Sequence, residues 1–559
     1  MQGEVFAHRV SDSDIKRLLL AEPEREWVMD TETNGLEVVG HNAPHRAFWI
    51  GLMPLGSKHA FIITREEFDD WNLGQILEGL RLVGHNLRFD LHALNLNPTR
   101  TWTDTMVASY YRHTTGRHSM DHIAKVKGWR KVATPDLLKQ GRILDMHDEE
   151  LIAYLADDCL TTAKMAKTLQ VERAVQDYET EGAVYRMERR GMRLLYNKLA
   201  KVGEQLDEMI LSSEEPLRSA GMVGNLNSPP QVSEWLIGKG RKLPHSPTGK
   251  PSTSKIVLQS LADEGDNLAG KLLTWRKLIK LRSSFIEPLP RLAQDGILYP
   301  RTNTTRTATG RFSCNTPNLQ QIPKRGPLGK SIRSCLTAVD EAGVTACDFS
   351  QVELRVAASF AEEPVLLEAF KEGECPHREV AAKMLGKKAE NITPDERFKA
   401  KAVNFGILNG MGAKRLALEL KTDKREASRF LDEYRRNLPD LHNWMEKVWR
   451  EAETYRVART VAGRTRIFAG YEKTRPAISV IVQGSAAELM RTALVAVDKA
   501  GLNPILSVHD EVLIGGQDST RAEELREVME DAANKAYHDT FSNVEFPASA
   551  TSGATWGDV

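Results

Sequence analysis

The chain has 559 residues, enough for several domains with large cores, and its 76 Lys and Arg balance its 76 Asp and Glu. A formal charge of zero neither suggests nor excludes a nucleic-acid partner, because carboxylates in one place offset a basic groove in another. The five cysteines (Cys159, Cys314, Cys335, Cys347, Cys375) have no CxxC spacing, which argues against a zinc site or a disulfide framework, and neither a signal pattern nor a bilayer-long apolar stretch is evident. A soluble protein of a reducing cytoplasm is expected.

From the N-terminus, WVMDTETNG (residues 27–35) reads as a strand whose period of two puts Asp30 and Glu32 on one face. LVGHNLRFDLHAL (residues 82–94) supplies Asp90 at a strand-to-helix transition, and a helical stretch at 149–169 puts Tyr154 and Asp158 one turn apart. Four acids and a tyrosine then converge. Asp157 reads as a solvated neighbour, and Asp104 as fold support or a substrate contact. A polar helical stretch follows at 171–183. The chain to about residue 299 is mostly helical, with a Pro/Gly/Ser-rich interruption around 225–254 (NLNSPPQ, LPHSPTGKPSTS).

Further on, the apolar run 344–347 ends on Asp348 and gives way to Val352, Leu354 and Val356, a buried strand turning into a helix. The segment TPDERFKAKAVNFGILNGMG (residues 393–412) opens with a capping box, Thr393 and Glu396, and has Pro394 at the first helical position. Arg397, Lys401 and Phe405 follow at four-residue spacing, a face suited to a triphosphate and a base, or else an ordinary solvated helix with one core phenylalanine. Residues 505–508 and 512–514 read as two strands joined by a tight turn that lifts Asp510 and Glu511 to the sheet edge. Either acidic cluster alone would fit a solvated turn. Together they supply the hard oxygen ligands with which two divalent cations, roughly 3.5 to 4 Å apart, stabilise the attacking and leaving oxygens of nucleotidyl transfer.

The segments DFSQVELR (348–355), RFKAKAVNFGILNG (397–410) and VHDE (508–511), in that order, resemble motifs A, B and C of the DNA polymerase I family, called family A. The resemblance extends to TATGRFSCNTPNLQQIP (307–323), CPHREVAAKMLG (375–386), GRTRI (463–467) and RPAISVIVQGSAAELM (475–490). It implies that Asp348 and Asp510 ligate two metals with Glu511 beside them, and that His377, Arg397 and Lys401 hold the incoming triphosphate, Lys401 as candidate general acid. It further implies that Glu353 excludes a 2'-hydroxyl, that Phe405 packs on the nucleotide, and that Arg311 and Gln483 read the minor-groove acceptors common to every correct pair. Arg355, Arg475, Asn409 and His509 are the remaining substrate-binding candidates. Likewise Asp30, Glu32, Asp90, Tyr154 and Asp158 resemble the DEDD-type 3'-5' exonuclease with a tyrosine, in which the acids hold two metals and the tyrosine orients water.

The resemblance implies an α/β multidomain chain: a ribonuclease H-like exonuclease at 1–175, then a right hand with thumb 176–299, palm 300–370 and 475–559, and fingers 371–474. Its cofactor would be Mg2+, two per site, with Mn2+ able to replace it. Its partners would be primer-template DNA and dNTPs, with a helicase, primase or processivity factor as candidates, no membrane, and a monomer. A separate 5'-nuclease domain has no room before Asp30, which suggests a bacteriophage replicase acting in the host cytoplasm. The sequence departs from the family at Asn409, where tyrosine is usual, and in smaller ways at Gln321 and Ser479. Asn409 keeps open a specialised polymerase for translesion synthesis, RNA templates or modified bases. Intact Asp348, Asp510, Glu511, Arg397 and Lys401 argue against a nuclease whose second half only grips DNA, and a protein inactive at both sites would be expected to have lost at least one ligand.

Overall fold

The computed structural model describes residues 5–40, 42–246, 248–420 and 422–559. Residues 1–4 of the N-terminal stretch and Pro247 of the Pro/Gly/Ser-rich interruption lie outside them. The strand that carries Asp30 and Glu32 is internal to a six-stranded sheet, ordered Phe6–His8, His59–Thr64, Ala47–Pro54, Glu26–Thr33, Arg81–Gly84, Thr103–Asp104. It pairs antiparallel with Ala47–Pro54 and parallel with Arg81–Gly84, and Trp27, Val28 and Met29 are buried, as an internal strand requires. The helix Asp148–Thr168 packs closely on this sheet. Gly51, the register partner of Asp30, permits that approach, since a Cβ there would meet Cys159 Sγ at 2.8 Å and Leu155 Cγ at 2.9 Å.

The helix Val175–Arg190 is a bridge, not the start of a thumb as the boundary at 176 supposes. Its Tyr185 belongs to the N-terminal core with Leu91 and Trp102, whereas Ala183, Val184 and Met187 belong to the C-terminal core. Three of its acids, Asp177, Glu181 and Glu188, are buried as well. Asp177 Oδ1 accepts from Arg464 Nη2 at 2.7 Å and Arg491 Nη1 at 2.9 Å, and Arg464 Nε donates to Glu488 Oε1 at 2.8 Å. Two cations and two anions thus balance, and hydrogen bonds from Thr460 to Glu488 and from Arg491 to Thr304 O and Gly310 O add to the set. The guanidinium of Arg464 also lies over the rings of Tyr110 and Tyr111, whose hydroxyls donate to Thr307 O and Ala462 O at 2.5 Å each. A second buried group, Arg88 to Glu181 at 3.2 Å and His92 to Glu188 at 2.9 Å, ties the helix Leu87–Leu94 to the same bridge.

Further along, helices Tyr196–Ser219, Lys255–Asp263 and Asn267–Leu281 share an apolar core with the small sheet of Met192–Leu194, Ile297–Leu298 and Leu336–Thr337. The second functional sheet is antiparallel throughout, in the order Pro504–Val508, Glu511–Gly515, Val344–Phe349, Ala548–Gly553. Helices Ala477–Lys499 and Ser519–Lys535 cover it. The first of these corrects the expectation that no stretch is long and apolar enough to cross a bilayer: it passes by length and by a mean hydropathy of 1.4. Its apolar window is 78% buried in the protein, and it carries Glu488 and Arg491 into the ion network, so it is a core helix. In the chain, between the two halves of that antiparallel sheet, lie the α-helices Pro376–Leu385, Pro394–Leu408, Ala413–Leu420, Lys424–Asn437 and Pro439–Tyr455, and the hairpin of Val457–Arg459 with Thr465–Ile467.

Removing one partner of a buried ion group leaves an uncompensated charge. Asp177→Ala, which deprives Arg464 and Arg491 of their shared acceptor, is expected to lower the unfolding free energy by about 3–5 kcal/mol. Urea denaturation checks this through the midpoint, and an unchanged midpoint would remove the network from the stability of the fold.

Candidate active sites

The N-terminal site is assembled from one strand, two helices and a loop. Asp30 and Glu32 alternate around buried Thr31 on Glu26–Thr33, so both face the helix Asp148–Thr168, where Asp158 follows Tyr154 by one turn. One carboxylate oxygen from each of Asp30, Glu32 and Asp158 lies within 4.8 Å of the others, a spacing and donor set that suit a hard divalent cation. Asp90 is not in that group. Its Oδ1 accepts from Thr31 N at 3.1 Å and Thr31 Oγ1 at 2.6 Å, so it sits behind the strand's polar face, held in place. Burial, then the neighbouring acids, pushes Asp30 well above the usual carboxylate range. Burial also lifts Glu32 and Asp90 to about 8 and Asp158 to about 6. Four acids that hold protons to near-neutral pH are a site short of positive charge.

The positive charge the protein supplies comes from Lys131, which nothing in the sequence pattern singles out. Its ammonium lies 2.7 Å from Asp158, 3.1 Å from Asp121 and 4.8 Å from the centre of the Tyr154 ring. The same loop reaches Tyr154 through Thr134 (3.3 Å) and Asp157, which accepts from Val132 N at 2.8 Å. Asp157 is therefore a loop anchor and not the solvated neighbour expected. Asp104 is fold support: it is buried and accepts from Asn86 N, Leu87 N and Met106 N at 3.0, 2.8 and 2.9 Å. It thereby fixes the turn leading to Asp90 and caps the helix Thr105–Arg112.

At the C-terminal site, Asp348 near the end of Val344–Phe349 faces Glu511 directly across the strand pair. Asp510 lies in the turn between Pro504–Val508 and Glu511–Gly515, with His509 at φ 56°. Asp510 stands close enough to Asp348 for the two charges to act on each other. Like charges opposed on neighbouring strands repel, and here they are met by cations: Lys324 Nζ is 3.0 Å from Asp348 Oδ2 and 2.9 Å from Glu511 Oε1. Arg311 joins Glu353 and, at 3.5 Å, Asp510. Burial raises Asp510 and Glu353 above the ordinary carboxylate range, with Arg311 opposing the shift in both.

The helix Pro394–Leu408 begins at the expected capping box, Thr393 Oγ1 accepting from Glu396 N at 3.3 Å. Lys401 lies 5.8 Å from the Phe405 ring centre, and Arg397 Nε donates to Cys375 Sγ at 3.1 Å. Buried His377 receives Asn404 Nδ2 at 2.8 Å and tilts against Phe405 at 5.7 Å. Burial, Lys401 and Arg397 push it down to about 4, so it is neutral and keeps one N–H to donate. Lys401 is lowered by burial and by Arg325 and Arg397. Asn409 ends this helix, donates to Phe405 O at 2.8 Å and accepts from Gln483 Nε2 at 2.6 Å, while Ser479 donates to Leu408 O at 3.2 Å. Arg475 and His509 are exposed beside this region. Arg355 is not brought to the carboxylates: it donates to Ser350 O and Glu545 O and covers the Phe370 ring at 4.1 Å, which is packing.

The sequence model described as DNA polymerase family A matches residues 196–558, and the one described as 3'-5' exonuclease matches residues 13–173. A thermostable DNA polymerase I from Thermus thermophilus is 37% identical over 375 residues, covering 63% of this chain and 44% of that protein. DNA polymerase I from Pseudomonas aeruginosa is 30% identical over 542 residues, covering 87% of this chain and 59% of that protein. The chain thus spans about half the length of the curated relatives it matches. A solved structure of the POL domain of Pol1 from M. smegmatis, in complex with DNA primer-template and dNTP, shares the fold at a TM-score of 0.83 and 23% identity, over 98% of this chain and 99% of that one. With an exonuclease-type unit preceding a polymerase-type unit, the chain belongs to DNA polymerase family A.

Proposed function

We propose that the chain is a template-directed DNA polymerase that adds dNMPs to a primer 3' end and removes mispaired ends by 3'-5' hydrolysis. The observation that carries this reading is the presence of two separate carboxylate clusters, Asp348/Asp510/Glu511 on the antiparallel sheet and Asp30/Glu32/Asp158 beside Tyr154. Both donor sets are all oxygen, which fits Mg2+ or Mn2+. Asp348 and Asp510 would hold cations in one site, and Asp30, Glu32, Asp158 and, through the ordered Thr31 contact, Asp90 in the other. When bound, the cations supply a polarised nucleophile and charge for the leaving oxygen.

The protein's own groups do the rest. Arg397 and Lys401 offer charge to a triphosphate, and His377 offers one N–H. Lys401, its pKa lowered by burial and neighbouring arginines, is disposed to give up a proton to the departing pyrophosphate. Glu353, held by Arg311, narrows the space beside the sugar. In the other unit, the hydroxyl of Tyr154 orients water. A second reading, a polymerase tolerant of damaged or modified template bases, is favoured by Asn409: its amide is spent on Phe405 O and Gln483, and it offers no ring to pack on the base pair.

With a 5'-labelled primer on a longer template, wild type is expected to lengthen the primer with dNTPs and shorten it without them. Asp510→Ala should cut lengthening, and Asp30→Ala shortening, by more than about 100-fold, each sparing the other activity; loss of both in either variant would contradict two separate sites.

The raised carboxylates favour the folded state below about pH 4, and that contribution is lost as pH rises through about 6 (Asp158) and about 8 (Glu32, Asp90). The metal-free protein is therefore expected to lose thermal midpoint over this window, and Mg2+ to raise the midpoint more at the alkaline end. Glu32→Gln should flatten the slope; differential scanning fluorimetry reads both. Finally, Asn409→Tyr is expected to lower misincorporation opposite a modified base, and identical error spectra would withdraw the second reading.

A further inference from the structure

Lys324 stands in the turn between Leu319–Gln321 and the helix Pro327–Arg333, and no part of the proposed reaction calls for it. Its backbone is fixed at the base, because Pro323 closes so tightly on Gly329 that a Cβ there would meet Pro323 O at 2.2 Å. Beyond that anchor its side chain is 53% exposed and free to swing, yet its ammonium bridges Asp348 and Glu511. The neighbouring Arg333 is 3.9 Å from Glu511 but is pinned over the Trp556 ring at 4.1 Å, so it is no substitute. Arg311 is committed to Glu353 and Asp510. Among the described residues, Lys324 is thus the one cation that links the two acids facing each other across the strand pair.

Resting on the polymerase reading of this site, we propose that Lys324 is a tethered counter-cation: a positioning residue that holds Asp348 and Glu511 together in the metal-free protein and must release Asp348 as a divalent cation enters. It competes with the metal for the Asp348 carboxylate. The metal concentration at which the site fills is then set by a residue outside the carboxylate motifs.

The test uses the full chain carrying Asp30→Ala and Glu32→Ala, which silence the N-terminal cluster, titrated with Mn2+ without DNA or dNTP and read by the electron paramagnetic resonance of free Mn2+. Lys324→Met is expected to tighten Mn2+ binding at least about fivefold, the scale of one unit charge about 4 Å away in water. Lys324→Arg should stay close to the parent. In calorimetry the metal-free Lys324→Met protein should melt below the parent and recover with Mn2+. Unchanged or weaker Mn2+ binding in Lys324→Met overturns the proposal while leaving the site reading intact. Mn2+ binding that is insensitive to Asp348→Asn overturns the site reading itself, and the proposal with it.

Discussion

The arrangement of both sites depends on four charges buried where the two units meet. Asp177, Arg464, Glu488 and Arg491 come from the bridge helix, the hairpin of Val457–Arg459 with Thr465–Ile467 and the long core helix, and none is in contact with water to any useful extent. Such a group is tolerated only when its geometry is complete, and a misdocked unit would strand a charge at a cost of several kcal/mol. The network therefore acts against wrong dockings more than it adds stability to the right one. Tyr110 and Tyr111 extend it to the N-terminal unit, so the sheet with Asp30 and the sheet with Asp348 share one frame.

Within that frame the two sites handle charge in opposite ways. The N-terminal acids are enclosed, and apart from Lys131 their repulsion is relieved by keeping protons. At the C-terminal site Lys324 and Arg311 each span a pair of acids. The cations at hand decide the difference. A side chain half in water, such as Lys324, can pair or leave at small cost, whereas a cation entering the enclosed cluster must also displace protons.

What is legible in the sequence is local. The alternation of Asp30 and Glu32, the capping box at Thr393 and Glu396, and the hairpin at His509 and Asp510 each depend on neighbours within a few residues, and each is present. The ion partners are not legible, because Arg464 and Asp177 are 287 positions apart and Lys324 and Glu511 are 187 apart, with no periodicity to connect them. For the same reason the bridge helix reads as the beginning of a thumb: its polar residues look solvated until Arg88, Arg464 and Arg491 are brought to them. The long helix at residue 477 misleads differently, since burial inside a large core and burial in lipid select the same composition.

Gly51 carries none of the chemistry, yet it sets the clearance between the helix with Asp158 and the strand Ala47–Pro54, which pairs with the strand of Asp30. A single methyl group at residue 51 would wedge those two elements apart while leaving every acid and the tyrosine in the sequence. An inventory of the reactive side chains would then still read as complete in a unit that had fallen silent. In this fold the geometry of the N-terminal carboxylate cluster is written partly in an atom that is missing.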